Sequence, residues 1–120
     1  MSEPVKPYPN DAQDNKIMGI LAYFGLLFLV PIFAAKESPF ARFHANQGLL
    51  LFIAAICYYF ATWIITFIFA LFAPGLAIII GVLLYIASLA FVVLIVIGII
   101  NAAKGEMKEL PLIGKYRILK

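Results

Sequence analysis

Three long stretches without a charged residue dominate this chain of 120 residues. Residues 17–35, 48–72 and 75–100 contain no Asp, Glu, Lys or Arg. A helix needs about 20 mostly apolar residues to cross a hydrocarbon core about 30 Å thick, and each stretch reaches or approaches that length. Inside lipid, a single segment satisfies its own backbone hydrogen bonds only as a helix. The sequence therefore predicts an all-α membrane protein with three transmembrane helices.

Composition favours a protein embedded in lipid over a water-soluble domain. Hydrophobic residues make up 65% of the sequence and charged residues 12%, which is too apolar for a soluble domain of this size. A transmembrane β-barrel is disfavoured, because barrel strands alternate apolar and polar residues and these apolar runs are unbroken. The predicted organisation is a disordered tail over residues 1–15, a three-span domain over 16–103 and a basic, amphipathic tail over 104–120.

The connection before the second span carries a clear signal for the start of a helix. Ser38 is a preferred N-cap residue, and Pro39 suits the first helical position. A helix from there to Phe72 would be about 51 Å long, so its first turns are predicted to form an interfacial amphipathic segment in the headgroup region. The face predicted to turn inward holds Phe40, Phe43, His44, Gln47 and Leu51, and the opposite face holds Arg42 and Asn46.

Lys and Arg residues are divided unevenly between the two sides of a three-span arrangement. The N-terminal tail and the turn at Pro74 share a side that holds two of them, whereas the 36–47 connection and the C-terminal tail share a side that holds seven. Cytoplasmic segments carry an excess of Lys and Arg. The predicted location is the cytoplasmic (inner) membrane, with the N-terminus outside and the C-terminus in the cytoplasm. The basic residues lie beside the spans, so membrane phosphate is the expected partner and nucleic acid is not.

His44 and Gln47, one helical turn apart, form the most suggestive polar pair. They are either a proton-sensitive or ligand-contacting site or a buried pair that bonds neighbouring helix ends and fixes their packing. Asn101 lies at the same membrane face and is expected to reach this pair. One histidine and the distant Cys57 cannot build a metal site within one chain, so no metal and no cofactor is expected.

The sequence contains no recognisable pattern of catalytic residues. No nucleophile is paired with a base, no two carboxylates stand at catalytic spacing, and no glycine-rich loop is suited to phosphate. No acid or base lies within a span, where ionisable residues mark proton relays and ion pathways. The sequence therefore predicts a protein that is not an enzyme.

Three short motifs, at residues 43–48 (FHANQG), 101–106 (NAAKGE) and 111–114 (PLIG), resemble those of a known family. It is a family of small three-span bacterial and archaeal membrane proteins of unknown function, similar to the channel component of the chloroplast inner-envelope protein import machinery. The resemblance implies a helical membrane fold without catalytic residues and, at most, a role in polypeptide transit or membrane-protein assembly. The positions that it marks as important are Phe43, His44, Gln47, Asn101, Gly105 and Pro111.

The expected function is that of a structural or interaction subunit, related in its more specific form to protein translocation or membrane-protein assembly. One alternative is an oligomeric channel or small-solute permease, which would need several copies because three helices enclose too little space for water. Another alternative is a membrane-stress protein or a protein that confers resistance to antimicrobial peptides. The expected partners are the lipid bilayer and either further copies of the chain or another membrane protein.

Overall fold

The computed structural model describes residues 8–119, and all regular structure within that range is helical. The helices are α1 (Asp11–Asp14), α2 (Lys16–Leu21), a 3₁₀ helix (Gly25–Phe28), α3 (Leu29–Ala34), α4 (Pro39–Phe72) and α5 (Pro74–Ala103). The two long helices α4 and α5 form an antiparallel hairpin, and the short helices pack against one end of it. The molecule is accordingly elongated, with extents of 59 × 23 × 22 Å. The prediction of an all-α fold is confirmed.

Helix α4 begins where the sequence predicts. The Ser38 hydroxyl caps it by accepting a hydrogen bond of 3.0 Å from the backbone N–H of Ala41, and a proline follows the cap. The helix then runs without a break until Ala73, whose extended φ of −148° separates it from α5. The predicted spans 48–72 and 75–100 lie within these two helices, both of which are long and apolar enough to cross a membrane.

The predicted first span, residues 17–35, is not a continuous helix, so the prediction of three transmembrane helices is wrong in this part. Helices α2 and α3 hold six residues each, or about 9 Å of helix, which is too short to cross a bilayer. Gly25 separates them with a φ of 58°, which the α-helix cannot accommodate. The segment folds back instead, with α2 against α4 and α5 and α3 against α4.

Among residues 8–119, α4 and α5 are the only helices long enough to cross, and the segments before and after them pack at the same end of the hairpin. An Asp11 carboxylate oxygen accepts a 2.9 Å hydrogen bond from the backbone N–H of Phe40, and the backbone carbonyl of Glu106 lies 2.8 Å from His44 Nε2. These contacts place both segments at one end of the hairpin, whereas the predicted three-span arrangement assigns the two termini to opposite sides of the membrane. The tail predicted as disordered is helical at Asp11–Asp14, and residues 1–7 lie outside the described range.

The first turns of α4 are enclosed by protein and do not form an interfacial amphipathic face. Every residue of 40–48 is buried except Arg42, which is half-buried. The N-terminal segment covers one side of these turns and the C-terminal tail covers another. The surface of α4 that was predicted to contact lipid headgroups is therefore buried inside the protein. We call this end of the molecule the head, residues 8–51 and 98–119, and the rest of the hairpin, residues 52–97, the arm.

The head contains the apolar core, whereas the arm turns apolar side chains outward. The buried apolar residues of the core are Ala22, Tyr23, Phe28, Phe40, Leu51, Ala102 and Leu110. In the arm, large apolar side chains on both helices are more than half exposed, including Phe60, Trp63 and Leu83. Leaving so many of them in water would be unfavourable, so the arm is suited to lipid.

Candidate functional site

Three polar side chains on the first turns of α4 hold the C-terminal tail against the helix. His44, Asn46 and Gln47 are fully buried, and each bonds to the backbone of a different part of the tail. We call these three residues the polar clamp. At about 100° per residue their side chains span about 160° of the helix circumference, so the clamp holds a tail that follows almost half of the circumference of α4.

Gln47 closes a turn in the tail. Its side-chain Nε2 donates to the backbone carbonyl of Gly114 at 2.9 Å, and its Oε1 accepts from the backbone N–H of Leu110 at 2.9 Å. The same two residues bond each other, because the N–H of Gly114 donates to the carbonyl of Leu110 at 3.0 Å. One side-chain amide thus satisfies both ends of the turn that carries the PLIG motif.

His44 links the end of α5 to the N-terminal segment. Its Nε2 lies 2.8 Å from the backbone carbonyl of Glu106, and its Nδ1 lies 2.6 Å from the hydroxyl of Tyr23. A carbonyl oxygen only accepts, so Nε2 carries the proton, and in the neutral imidazole Nδ1 accepts from the tyrosine hydroxyl. The rings of Phe40 and Phe43 stand edge-on to the imidazole, with centroids 4.7 and 5.2 Å away. Both ring nitrogens are therefore used inside the chain.

Asn46 bonds the last described part of the tail. Its Nδ2 donates to the carbonyl of Tyr116 at 2.8 Å. Its Oδ1 accepts from the N–H groups of Ile118 and Leu119 at 2.7 and 2.9 Å. The sequence-based prediction that Asn46 faces outward is wrong, because the tail covers this face of α4 as well.

The start of α4 is fixed to the N-terminal segment by a buried carboxylate. Asp11 is 1% exposed, and its two oxygens accept hydrogen bonds from the Ser38 hydroxyl and from the backbone N–H of Phe40. A negative charge at a helix N-terminus is favourable, since the unpaired N–H groups and the helix dipole are positive there. Asp11 therefore caps α4 from outside the helix, in addition to the Ser38 cap.

A glycine cap at the end of α5 places the carbonyl that His44 contacts. The N–H of Glu106 donates to the carbonyl of Asn101 at 2.9 Å, and the N–H of Gly105 donates to the carbonyl of Ala102 at 3.0 Å. With the φ of 74° at Gly105, these bonds form a Schellman motif, which favours glycine at that position. The Lys108 ammonium lies 2.7 Å from the Glu106 carboxylate and lowers the pKa of that carboxyl. The backbone of Glu106 is thus held by the cap, and its side chain stays at the surface.

The structure brings together most of the residues that the sequence singled out. Phe43, His44 and Gln47 are buried side by side, and Gly105 supplies the cap described above. Asn101 was expected to reach His44 and Gln47, but within the described residues no hydrogen bond joins its side chain to either, and it acts through its backbone carbonyl. Pro111 lies exposed on the surface of the turn that Gln47 closes.

Sequence reasoning missed Asp11, Tyr23 and Asn46 as members of this site. For Asn46 a signal was present, because polar residues at positions 44, 46 and 47 cannot share one face of a helix. Three buried polar positions spread around the helix would have indicated that protein encloses it. For Asp11 and Tyr23 the contacts join segments more than 20 residues apart, and no local pattern marks them.

The clamp is suited to holding structure and offers no open polar cavity. Each side-chain nitrogen and oxygen of its three residues is bonded within the chain. A small, partly open cavity of about 90 Å³ lies next to it, with a mostly apolar lining that includes Tyr23, Gly48, Phe52 and Phe91. Among residues 8–119, no group of three or more His, Cys, Asp or Glu side chains is placed to hold a metal ion.

Comparison with known proteins identifies similar membrane proteins in bacteria and archaea. The model of the magnetosome magnetite crystal formation protein family matches residues 14–118. Magnetosome protein MamF of Magnetospirillum gryphiswaldense is 33% identical over 99 residues, which cover 82% of this chain and 78% of the relative. A UPF0132 membrane protein of Methanocaldococcus jannaschii is 32% identical over 106 residues, which cover 84% of this chain and 83% of the relative. No solved structure matches the chain.

Proposed function

The chain belongs to the magnetosome magnetite crystal formation protein family, and from this premise we propose that it is a non-enzymatic structural or interaction subunit of a membrane. The membership bears out the family of small bacterial and archaeal membrane proteins expected from the sequence motifs. The polar clamp carries the proposal. A catalytic or ligand site needs polar atoms that face a cavity, whereas the clamp directs its polar atoms to the chain's own backbone.

The apolar arm supplies the surface through which such a subunit would act. Its helices turn large side chains outward along their whole length, and lipid tails or the helices of other membrane proteins are the neighbours that suit this surface. The head holds every charged residue among residues 8–119 and keeps the described N-terminal segment and C-terminal tail on one side. The molecule is therefore built as a lipid-embedded hairpin with a rigid polar end, a form suited to anchoring or assembly.

A contribution to the formation of magnetite crystals is a second candidate function. The family description and the name of the Magnetospirillum relative favour it. The archaeal relative is named only as a membrane protein, so a structural role in a membrane is the function that suits all of these proteins. None of the relatives reported above is named as a protein-import component. A role in translocation therefore rests on the resemblance of sequence motifs alone.

We further propose that the head faces the cytoplasm. No Lys or Arg lies between Phe43 and Ala103, so all nine fall in the segments that belong to the head or extend from it, and the tip of the arm has none. Such an asymmetry orients the basic side toward the cytoplasm. We expect fluorescent or protease-sensitive tags at both ends of the chain to report the cytoplasmic side, and a tag at Gly75 to report the other. Termini found on opposite sides would contradict this arrangement.

Crosslinking through the native cysteine tests the proposed function. Cys57 is exposed on α4, within the arm, and is the only cysteine in the sequence. We expect a thiol crosslinker, applied to native membranes, to give a discrete adduct with a second copy or another membrane protein. The adduct should be absent from the Cys57→Ser variant. The purified protein in liposomes is expected to leave ion conductance unchanged.

Two results would count against this function. Conductance that rises with the amount of protein would favour the channel alternative in place of a structural subunit. Assembly through the arm would be contradicted if no crosslinked adduct forms at Cys57 and none forms at a cysteine placed at the exposed Ile86 of α5.

A further inference from the structure

The length of α4 sets the depth of each part of the molecule in a bilayer. Arg42 and Phe72 are 30 residues apart on one unbroken helix, which corresponds to about 45 Å. A bilayer with its headgroup regions is about 40–45 Å thick. With Arg42 at the surface on the head side, Phe72 therefore reaches the opposite surface, and the bilayer midplane lies about 22 Å below Arg42.

The short apolar segment between Lys16 and Lys36 stays above that midplane. Near the turn of this segment, the ring of Phe28 contacts the ring of Phe52 on α4, with centroids 5.5 Å apart. Phe52 lies ten residues beyond Arg42, or about 15 Å deeper. The segment thus enters the leaflet on the head side, turns, and returns to the same surface.

The outer surface of this segment is apolar and exposed. Ile17, Leu26 and Phe33 are 69%, 60% and 68% exposed. The flanking residues Lys16 and Lys36 are exposed at its two ends, where ammonium groups can reach lipid phosphates. Lipid tails of one leaflet are the medium that suits such a surface, and the two lysines fix its ends at the headgroup level.

We propose that residues 16–36 form a wedge in the head-side leaflet, and that the protein therefore favours bilayers in which this leaflet is convex. The head-side leaflet must accommodate α4, α5 and the folded segment, whereas the other leaflet accommodates only α4 and α5. A helix about 10 Å across occupies roughly 80 Å² in the membrane plane, so one leaflet is expanded relative to the other. This property goes beyond the proposed function, because it requires no protein partner.

Vesicles of mixed diameter test the wedge directly. The full chain, labelled at its C-terminus, is reconstituted into vesicles of phosphatidylcholine and phosphatidylglycerol, and protein per lipid is counted for single vesicles. A membrane-impermeant quencher identifies the molecules whose head faces outward. We expect the outward-facing density to rise as vesicle diameter falls and the inward-facing density to fall. Equal densities at all diameters would overturn the proposal.

A matched pair of variants assigns the effect to the segment. The double variant Leu26→Asn and Phe33→Asn makes the exposed wedge surface polar, and it is expected to lose the dependence on diameter. The control Leu112→Asn changes a side chain that is 89% exposed in the tail, at a φ of 72° that asparagine tolerates. It is expected to keep the dependence. A double variant with undiminished dependence would refute the assignment.

A depth measurement keeps the proposal testable even where the double variant does not fold. A single tryptophan at the exposed position 27, made by Leu27→Trp in a Trp63→Phe background, is quenched by lipids brominated at known depths. We expect strongest quenching by bromines about halfway along the acyl chains of the head-side leaflet, roughly 7 Å from the midplane. Quenching centred on the midplane, or no quenching by any brominated lipid, would overturn the wedge.

Discussion

Replacing Gln47 with leucine is expected to free the C-terminal tail from α4 and to lower the free energy of unfolding by about 2–4 kcal/mol. The buried Gln47 amide bonds the N–H of Leu110 and the carbonyl of Gly114. Leucine is similar in size but leaves both backbone groups without a partner, and each such buried group costs about 1–3 kcal/mol. The turn can recover part of this cost only by moving out to water, so detachment of the tail is expected together with the loss of stability.

Thermal unfolding in detergent micelles and limited digestion with trypsin measure the two effects. Trypsin cleaves after Lys115 and Arg117, which lie just beyond the turn that Gln47 holds, and cleavage there is expected to accelerate. Gln13→Leu is the matched control, because Gln13 is exposed on α1 and the same exchange removes no buried bond there. A Gln47→Leu protein with the melting temperature and cleavage rate of the control would contradict a clamping role.

The parts of the fold that the sequence predicted are those with local causes. The start of α4 follows from Ser38 and Pro39, whose side chains act on the next few residues. The break between the long helices follows from a proline and a glycine beside Ala73. Such signals need no knowledge of the rest of the chain. For that reason the predicted spans 48–72 and 75–100 lie within the two long helices of the structure.

For the first apolar stretch, length and composition could not distinguish a crossing helix from a segment that folds back. An uncharged run of residues tells which solvent the segment prefers, but a folded-back segment and a crossing helix prefer the same solvent. The difference lies in the φ of 58° at Gly25 and in the packing of α2 on both long helices. Gly25 and Pro31 in one stretch were the available warning, since both residues interrupt helices.

Two residues of the polar clamp could be predicted from the sequence, but their bonding partners could not. His44 and Gln47 stood out because buried polar groups in an apolar setting need partners. Of their four partners, one is the Tyr23 hydroxyl and three are backbone groups more than 60 residues away. A backbone group has no signature in a sequence. The sequence analysis assumed that α4 has one buried face, and this assumption placed Asn46 on the exposed face. The C-terminal tail covers that face as well, which only the structure shows.

Replacing Gly48 with alanine is expected to displace the folded-back N-terminal segment from α4 and to destabilise the protein by about 3 kcal/mol or more. A Cβ atom at this position would lie 1.8 Å from the backbone oxygen of Ala22 and 3.4 Å from the Cβ of Phe28. A backbone oxygen cannot rotate away as a flexible side chain can. The connection between α2 and the 3₁₀ helix must therefore move as a unit.

The matched control for this exchange is Gly75→Ala, at the tip of the hairpin. A Cβ added there meets no atom within 4 Å, and alanine favours the helix over glycine by up to about 1 kcal/mol. The same substitution is thus expected to lower the melting temperature in detergent at Gly48 and to leave it equal or higher at Gly75. The displaced segment should also expose the region around Tyr23 to proteases in the Gly48 variant alone. Equal melting temperatures for the two variants would show that the segment does not pack against α4, and the description of the head would then be wrong.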